Sequence, residues 1–311
     1  MKISKNLSLN QKDMQNSKKS NMAKNEINTG NPKEMQAKDL SIKSLLDILF
    51  KDLIGKQKSK NMVLEILKEK NILQNIKSTT LELKSAVNEI KNNQIDLKSL
   101  HSLDNLLLNI DKMDAKSLQR YIDKSGIFLE SKLASNSKED ILNDTKAIFL
   151  QIKEEVGAKQ DQVFKDIFLK VDKVLANISY YQLASFSVGA NILYLPLLWE
   201  ELEEGQISIK KLKRKRYFCE INLKLKEYGK IDLLIMLFDD ININISIFTQ
   251  NLIFLNSMRE NLQILKQGIN SVGLVPLNIY LHNSLKDEKI KKEAKRYANN
   301  EQTGTGISLH V

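Results

Sequence analysis

The sequence predicts an α+β protein: a helical N-terminal half after a disordered start, then a small β-β-β-α-β domain with one helix packed on a sheet. Three observations carry this prediction. Apolar residues recur at helical spacing from about residue 39 to 187. They alternate at period two in four runs between Cys219 and Leu281. Residues 1–38 hold only four strongly apolar aliphatic side chains, Ile3, Leu7, Leu9 and Ile27, too few to offset the entropy of ordering that stretch.

In the helical half, Leu45, Leu46, Leu49, Leu53 and Ile54 mark one amphipathic helix that Gly55 stops. Val63–Lys70, Ile72–Lys91 and Leu97–Ile110 continue as short helices with thin apolar stripes. Asp114 is placed to cap the next, which ends at Gly126. Ser137-x-x-Asp140 reads as a capping box before a helix running to Gly157. Asp140 and Asp144 read as solvated surface. Over about 159–187, Val163, Ile167, Val171, Val174, Leu175 and Ile178 share one face. No repeat of fixed period appears, so residues 39–187 are expected to form a loose helical region.

The pattern turns extended at Asn191. ILYLPLLW carries Pro196 and suits an edge strand, and EELEEGQ reads as an acidic turn at Gly205. Cys219, Ile221, Leu223 and Leu225 then alternate with polar residues, and Ile231, Leu233, Ile235 and Leu237 share one face after the turn at Gly229, with Leu234, Met236 and Phe238 making the other face partly apolar. Ile241, Ile243, Ile245 and Ile247 follow an Asp239-Asp240 turn. Leu277, Ile279 and Leu281 form the fourth run. Between the last two, Leu255, Met258, Leu262, Leu265, Ile269 and Val272 make a single helical stripe closed by Gly273. The unit 191–283 is expected to be the best-specified core of the chain, and residues 284–311 an exposed charged helix and tail.

Bulk properties narrow the function. The chain has 311 residues, 42% of them apolar, and a net charge of +10. Eight lysines against Asp13, Glu26 and Glu34 put half of that charge in residues 1–38. Apolar runs such as Ile192–Trp199 reach no more than eight residues, against roughly 20 for a membrane span, so no membrane insertion is expected. The N-terminus lacks the apolar core of a cleavable signal peptide. One cysteine, Cys219, excludes an internal disulfide framework and a Cys-rich metal site. His101, His282 and His310 are the only histidines and show no metal-ligand spacing. Gly304-x-Gly306 lacks the strand and helix of a phosphate loop. Neither a catalytic residue nor a cofactor is predicted.

The sharpest charge feature is WEELEEGQISIKKLKRKRYF, where Glu200, Glu201, Glu203 and Glu204 precede Lys210, Lys211, Lys213, Arg214, Lys215 and Arg216. Those six cations are the candidate partner surface, with cross-strand neutralisation by the glutamates as the plainer reading. Tyr217 and Phe218 could stack on single-stranded nucleic acid, which makes a cytoplasmic nucleic-acid-binding protein the alternative. The strand order and the absence of a glycine-aromatic motif argue against it.

Tyr228-Gly229-Lys230-Ile231-Asp232-Leu233 places a glycine turn before a strand, and Leu265, Ile269, Gly273 and Leu274 follow L-x-x-x-L-x-x-x-G-hydrophobic spacing. With SGIFLESKLA (125–134), DTKAIFLQI (144–152) and YYQLASFS (180–187), these residues give a stretch from about 120 to 283 that resembles bacterial flagellar hook-length control proteins. The family's Val-Arg pair near the helix start corresponds to Phe254-Leu255, and its Gln/Pro-rich linker has no counterpart. The resemblance implies a non-enzymatic regulator of hook length or export switching that touches the cytoplasmic part of the flagellar export gate, with hook or hook-cap subunits as further partners. It also implies a cytoplasmic protein exported through the flagellar type III apparatus, with residues 1–38 as the export signal. Marginal helices suit a chain that must unfold for export.

Overall fold

A computed structural model describes residues 42–69, 72, 73, 76, 79–93, 103, 106–159, 161–195 and 197–303. The expected disordered start at 1–38, most of the helix expected at Leu97–Ile110, His101, His310 and Gly304-x-Gly306 lie outside these residues.

The helical half is built around one helix. It opens with α1 (Ile42–Ile54), α2 (Lys60–Leu67) and α3 (Thr79–Asn92). A two-residue strand β1 (Leu108–Asn109) and a 3-10 turn follow, where helix was expected. Next come α4 (Ala115–Lys124), α5 (Leu129–Ala134), α6 (Lys138–Leu142) and α7 (Thr145–Gly157). The long α8 (Gln162–Val188) packs against α1, α2, α3 and α7. Asp161 caps its start by accepting the Val163 N–H, and Gly189 ends it in the left-handed region at φ 70°. Ile167, Val171, Val174, Leu175 and Ile178 are fully buried, as the stripe predicts, while Val163 is exposed. From Val174 to Ser187 nearly every side chain is buried, which marks α8 as a central helix rather than a surface one. The resulting core, with Leu46, Leu67, Leu83, Phe149 and Ile152 around α8, is dense, not loose.

Two expected boundaries move. The helix expected from Ser137 to Gly157 breaks at Asn143, because Asp144 caps a new helix there. The Ser137 hydroxyl turns to the Asp140 carboxylate and makes no bond to the backbone. Asp144 is also no solvated residue: it is completely buried.

The chain passes from α8 through Gly189 straight into β2 (Asn191–Tyr194), whose four residues are all buried. β3 (Leu197–Leu198) pairs with β1 in a separate two-stranded parallel piece. β4 (Leu202–Leu212), β5 (Arg216–Leu225), β6 (Gly229–Phe238) and β7 (Asn242–Thr249) form an antiparallel meander. After α9 (Leu252–Glu260) and α10 (Leu262–Ser271), β8 (Val275–Asn283) returns parallel to β7. The sheet order is β2-β4-β5-β6-β7-β8. Its last four strands, with the helical stretch before β8, are the expected β-β-β-α-β unit, preceded by β4, a strand that was not expected. The acidic turn expected at Gly205 is the interior of β4, and Gly205 is needed there because a Cβ would meet Leu195 at 3.0 Å.

Helices cover both faces. Ile231, Ile243, Ile245 and Ile247 face α9 and α10, and Leu212, Phe218, Leu234 and Phe248 face α11 (Glu288–Glu301) through Ala294 and Ala298. The helix expected to be exposed is therefore part of the sheet's second layer. Tyr194 Oη donates to the Ser125 carbonyl at 2.9 Å and Thr80 Oγ1 to the Leu195 carbonyl at 2.5 Å, so the described residues from Ile42 onward pack as one compact unit across the junction near 187–191.

Candidate interaction surfaces

The six predicted cations surround the β4–β5 hairpin. Leu212 pairs with Arg216, leaving Lys213, Arg214 and Lys215 as a three-residue loop. Arg214 and Lys215 sit at φ 58° and 54°, a region that favours Gly or Asn. Lys211, Lys213, Arg214 and Lys215 are exposed. The other two are engaged. Lys210 Nζ donates to Asn299 Oδ1, and burial pushes its ammonium below the usual lysine range. Arg216 is held by Glu301 (2.9 Å), by the Lys213 carbonyl (3.2 Å) and by Tyr297 Oη, with its guanidinium 5.6 Å from the Tyr297 ring.

Neutralisation by the glutamate run does not occur among the described residues. Glu200–Glu204 and the loop cations lie toward opposite ends of β4, with Glu204 and Lys210 roughly 20 Å apart at the rise of a β residue. Glu203 pairs with Lys224 instead, at 2.8 Å. The two aromatics offered for stacking are also displaced from the strip. Phe218 is buried under α11, and Tyr217 lines a groove on the opposite sheet face.

Sequence reasoning placed a helix at α11 but missed that it packs on the sheet. Its inward face is Lys291, Ala294, Lys295 and Ala298, a three-four spacing that was legible but read as surface because two of the four are lysines. Lys291 pairs with the buried carboxylate of Asp232, and Lys295 with Glu220. Asn222 bridges those two carboxylates. The outward face carries exposed Lys289, Lys292 and Arg296.

Of the positions of the family pattern, Leu265 and Ile269 line a groove between the helices and the sheet, while Gly229 lines a separate cleft. Gly229 opens β6 at φ 71°, and Ile231 beside it is buried. The single helix expected over 252–273 is broken at Asn261, whose side chain donates to the Ser257 carbonyl at 2.8 Å and competes with the helix ladder. α10 then ends in a Schellman motif: Gly273 N–H to the Asn270 carbonyl (3.0 Å) and Leu274 N–H to the Ile269 carbonyl (3.3 Å). α10 buries no residue fully. A groove of about 460 Å³ remains, walled by Ile235, Ile245, Met258, Leu265 and Ile269. Cys219 lies in it, and burial pushes its thiol up to about 12. Beyond the groove β8 is an outer strand without a charged residue other than His282. Val275, Leu277 and Tyr280 are exposed on it, and a register shift isolates Leu277, which was expected to face inward. A second cleft, about 680 Å³, separates α3 and α8 from the sheet, and its Lys224, Lys291 and Lys295 are all ion-paired.

Titratable groups elsewhere are structural. His282 stacks on Phe248 at 4.5 Å with Nδ1 3.6 Å from Asp287, whose carboxylate accepts the Asn283 N–H. Asp239 and Asp240 form the β6–β7 turn at φ 52° and 62°. Among the described residues no group of three or more His, Cys, Asp or Glu side chains could hold a metal, and no helix is long and apolar enough to cross a membrane. Comparison with protein-family models, curated proteins and solved structures finds no match to this chain.

Proposed function

We propose that this chain is a non-enzymatic regulator of flagellar hook length or of export-substrate switching, acting by contact with the cytoplasmic part of the export gate. The observation that supports this reading is the β-β-β-α-β order with Gly229 and Gly273 at its reversals, where the resemblance to hook-length control proteins expects them. The folded helical half favours switching over measuring, since a ruler would have to unravel the core around α8. Cytoplasmic residence followed by export belongs to the same proposal.

The test is capture of the purified export-gate cytoplasmic fragment by the full chain, paired with a secretion assay of a chain lacking residues 1–38. Capture, together with loss of secretion on deletion, is the expected result. A chain that ignores the gate fragment overturns the reading, and undiminished secretion removes the export signal from it.

A further inference from the structure

We propose that the exposed cations of the hairpin loop and of α11 form one continuous surface that binds a carboxylate-rich polypeptide segment. This rests on the reading of the chain as a protein-contact module, and it names the chemistry of the partner.

Continuity comes from the way α11 ends. Lys213 N–H donates to the Glu301 carbonyl at 2.9 Å, Arg216 Nη2 lies 2.9 Å from Glu301 Oε2, and Thr303 N–H donates to the Lys211 carbonyl at 3.0 Å. The last turn of the helix is thereby laid against the loop. Arg296, Lys292 and Lys289 lead away from it on one face, over a span of roughly 10 Å.

These cations are available. Lys211, Lys213, Arg214, Lys215, Lys289 and Arg296 are exposed and form no ion pair with a described residue. Lys292 has only a solvent-exposed pair with Glu288 one turn away, at 2.8 Å. Of the carboxylates within reach, Glu220 and Asp232 are held by Lys295 and Lys291 on the underside of α11, Glu301 by Arg216 and Glu288 by Lys292, and Glu293, exposed on α11 between Lys289 and Arg296, offsets one cation. The run Glu200–Glu204 is held away by the length of β4. Six unpaired cations against Glu293 leave most of this charge to be met from outside the sheet. Two positions of the loop also keep Arg214 and Lys215 in left-handed backbone, where glycine would be more stable, so charge is retained there against conformational preference.

Carboxylates fit this surface better than nucleobases do. A single-stranded nucleic acid gains much of its affinity by stacking on aromatic faces. Phe218 is buried, Tyr217 belongs to the groove behind, and the Tyr297 ring is occupied by Arg216. What remains is a ridge of long, flexible cations, which matches spaced carboxylates.

Fluorescence anisotropy on the full chain, at stepped NaCl, tests the proposal with three labelled probes: poly-L-glutamate, oligothymidylate and an abasic oligodeoxynucleotide of equal length. Two charge-reversed variants accompany it, Lys213→Glu/Arg214→Glu/Lys215→Glu and Lys289→Glu/Lys292→Glu/Arg296→Glu, all at exposed positions. Poly-L-glutamate should bind, with affinity falling steeply as salt rises. Each triple variant should weaken binding about tenfold or more, and the combination further. Absence of poly-L-glutamate binding, or full affinity in either triple variant, overturns the composite surface. So does oligothymidylate binding more than about tenfold tighter than its abasic counterpart, which would require base stacking. Failure here is separable from failure of the flagellar reading, because that reading stands or falls on capture of the gate fragment, which these probes do not contain.

Discussion

Two aspartates with the same local job differ in what surrounds them. Asp114 caps α4 through the Ser117 N–H at 2.6 Å, and the Ser117 bonds hold its carboxyl below the usual range. Asp144 caps α7 and also meets Lys132 Nζ at 2.8 Å, but burial pushes its carboxyl up, against the pull of Lys132. The unfolded value is about 3.9 for both. Asp114 therefore contributes stability above that pH, lost as pH falls through its lowered folded value. Asp144 runs the other way: its contribution is full below about pH 4 and fades as pH rises through the raised folded value. Carboxyl-carbon NMR titration should place the two midpoints on opposite sides of the ordinary value. Asp144→Ala should cost about 2–3 kcal/mol in urea unfolding, because it strands Lys132 and uncaps a helix. Asp114 was legible as a cap from its place before an apolar stripe. The burial of Asp144 was not, since it is imposed by Lys132 and by elements remote in sequence. Glycines repeat the lesson. Gly126 and Gly273 both have left-handed backbone, yet a Cβ at Gly126 would lie 2.8 Å from the Lys146 nitrogen, whereas at Gly273 it meets nothing within 4 Å. Gly273→Ala should cost about 1–2 kcal/mol, and Gly126→Ala distinctly more, by thermal unfolding.

At the scale of elements, strands announced themselves by alternation, and β5, β6 and β7 stand where Cys219–Leu225, Ile231–Leu237 and Ile241–Ile247 put them, except that Ile241 falls in the turn before β7 and is exposed. β4 and the packing of α11 were hidden because charged residues occupy positions that the fold half-buries. Lys291 and Lys295 lay their stems across the sheet and deliver their ammonium groups to Asp232 and Glu220, a solution that composition disguises as a solvated face. Lys291→Ala should cost about 2–3 kcal/mol, much of it the penalty of leaving Asp232 buried with only Asn222 as partner. Combining it with Asp232→Ala should cost less than the sum of the single changes, a coupling that a double-mutant cycle in urea would measure. Additive losses would mean that α11 is held by Ala294 and Ala298 alone.

For the whole molecule, α8 entering β2 through Gly189 and Ala190 alone makes the helices and the sheet share a boundary layer. Thr80, Tyr194 and Leu195 carry hydrogen bonds across it. Residues 40–311 should accordingly unfold in one transition, with far-UV and near-UV circular dichroism superimposing in urea. Two separated transitions would show that the layers are energetically independent. The α+β class was readable because period 3.6 and period 2 occupy different stretches of the chain. The density of the helical core was not readable, because it depends on what surrounds α8 from Val174 to Ser187, and a stripe count sees only one side. The candidate surface was half readable. Its loop cations are contiguous in sequence, while its α11 cations reach them only through the final fold.

The extra residue at Leu277 has a further effect. An outer strand with free backbone groups and a neutral, apolar rim is a template for recruiting foreign strands, and charge does not guard this one. Pro276 lacks a donor and the bulge beside it throws the ladder out of step, so only the stretch from Asn278 onward offers an unbroken rail. Excising that single leucine would straighten the rail, and a well-behaved chain should then begin to form fibres.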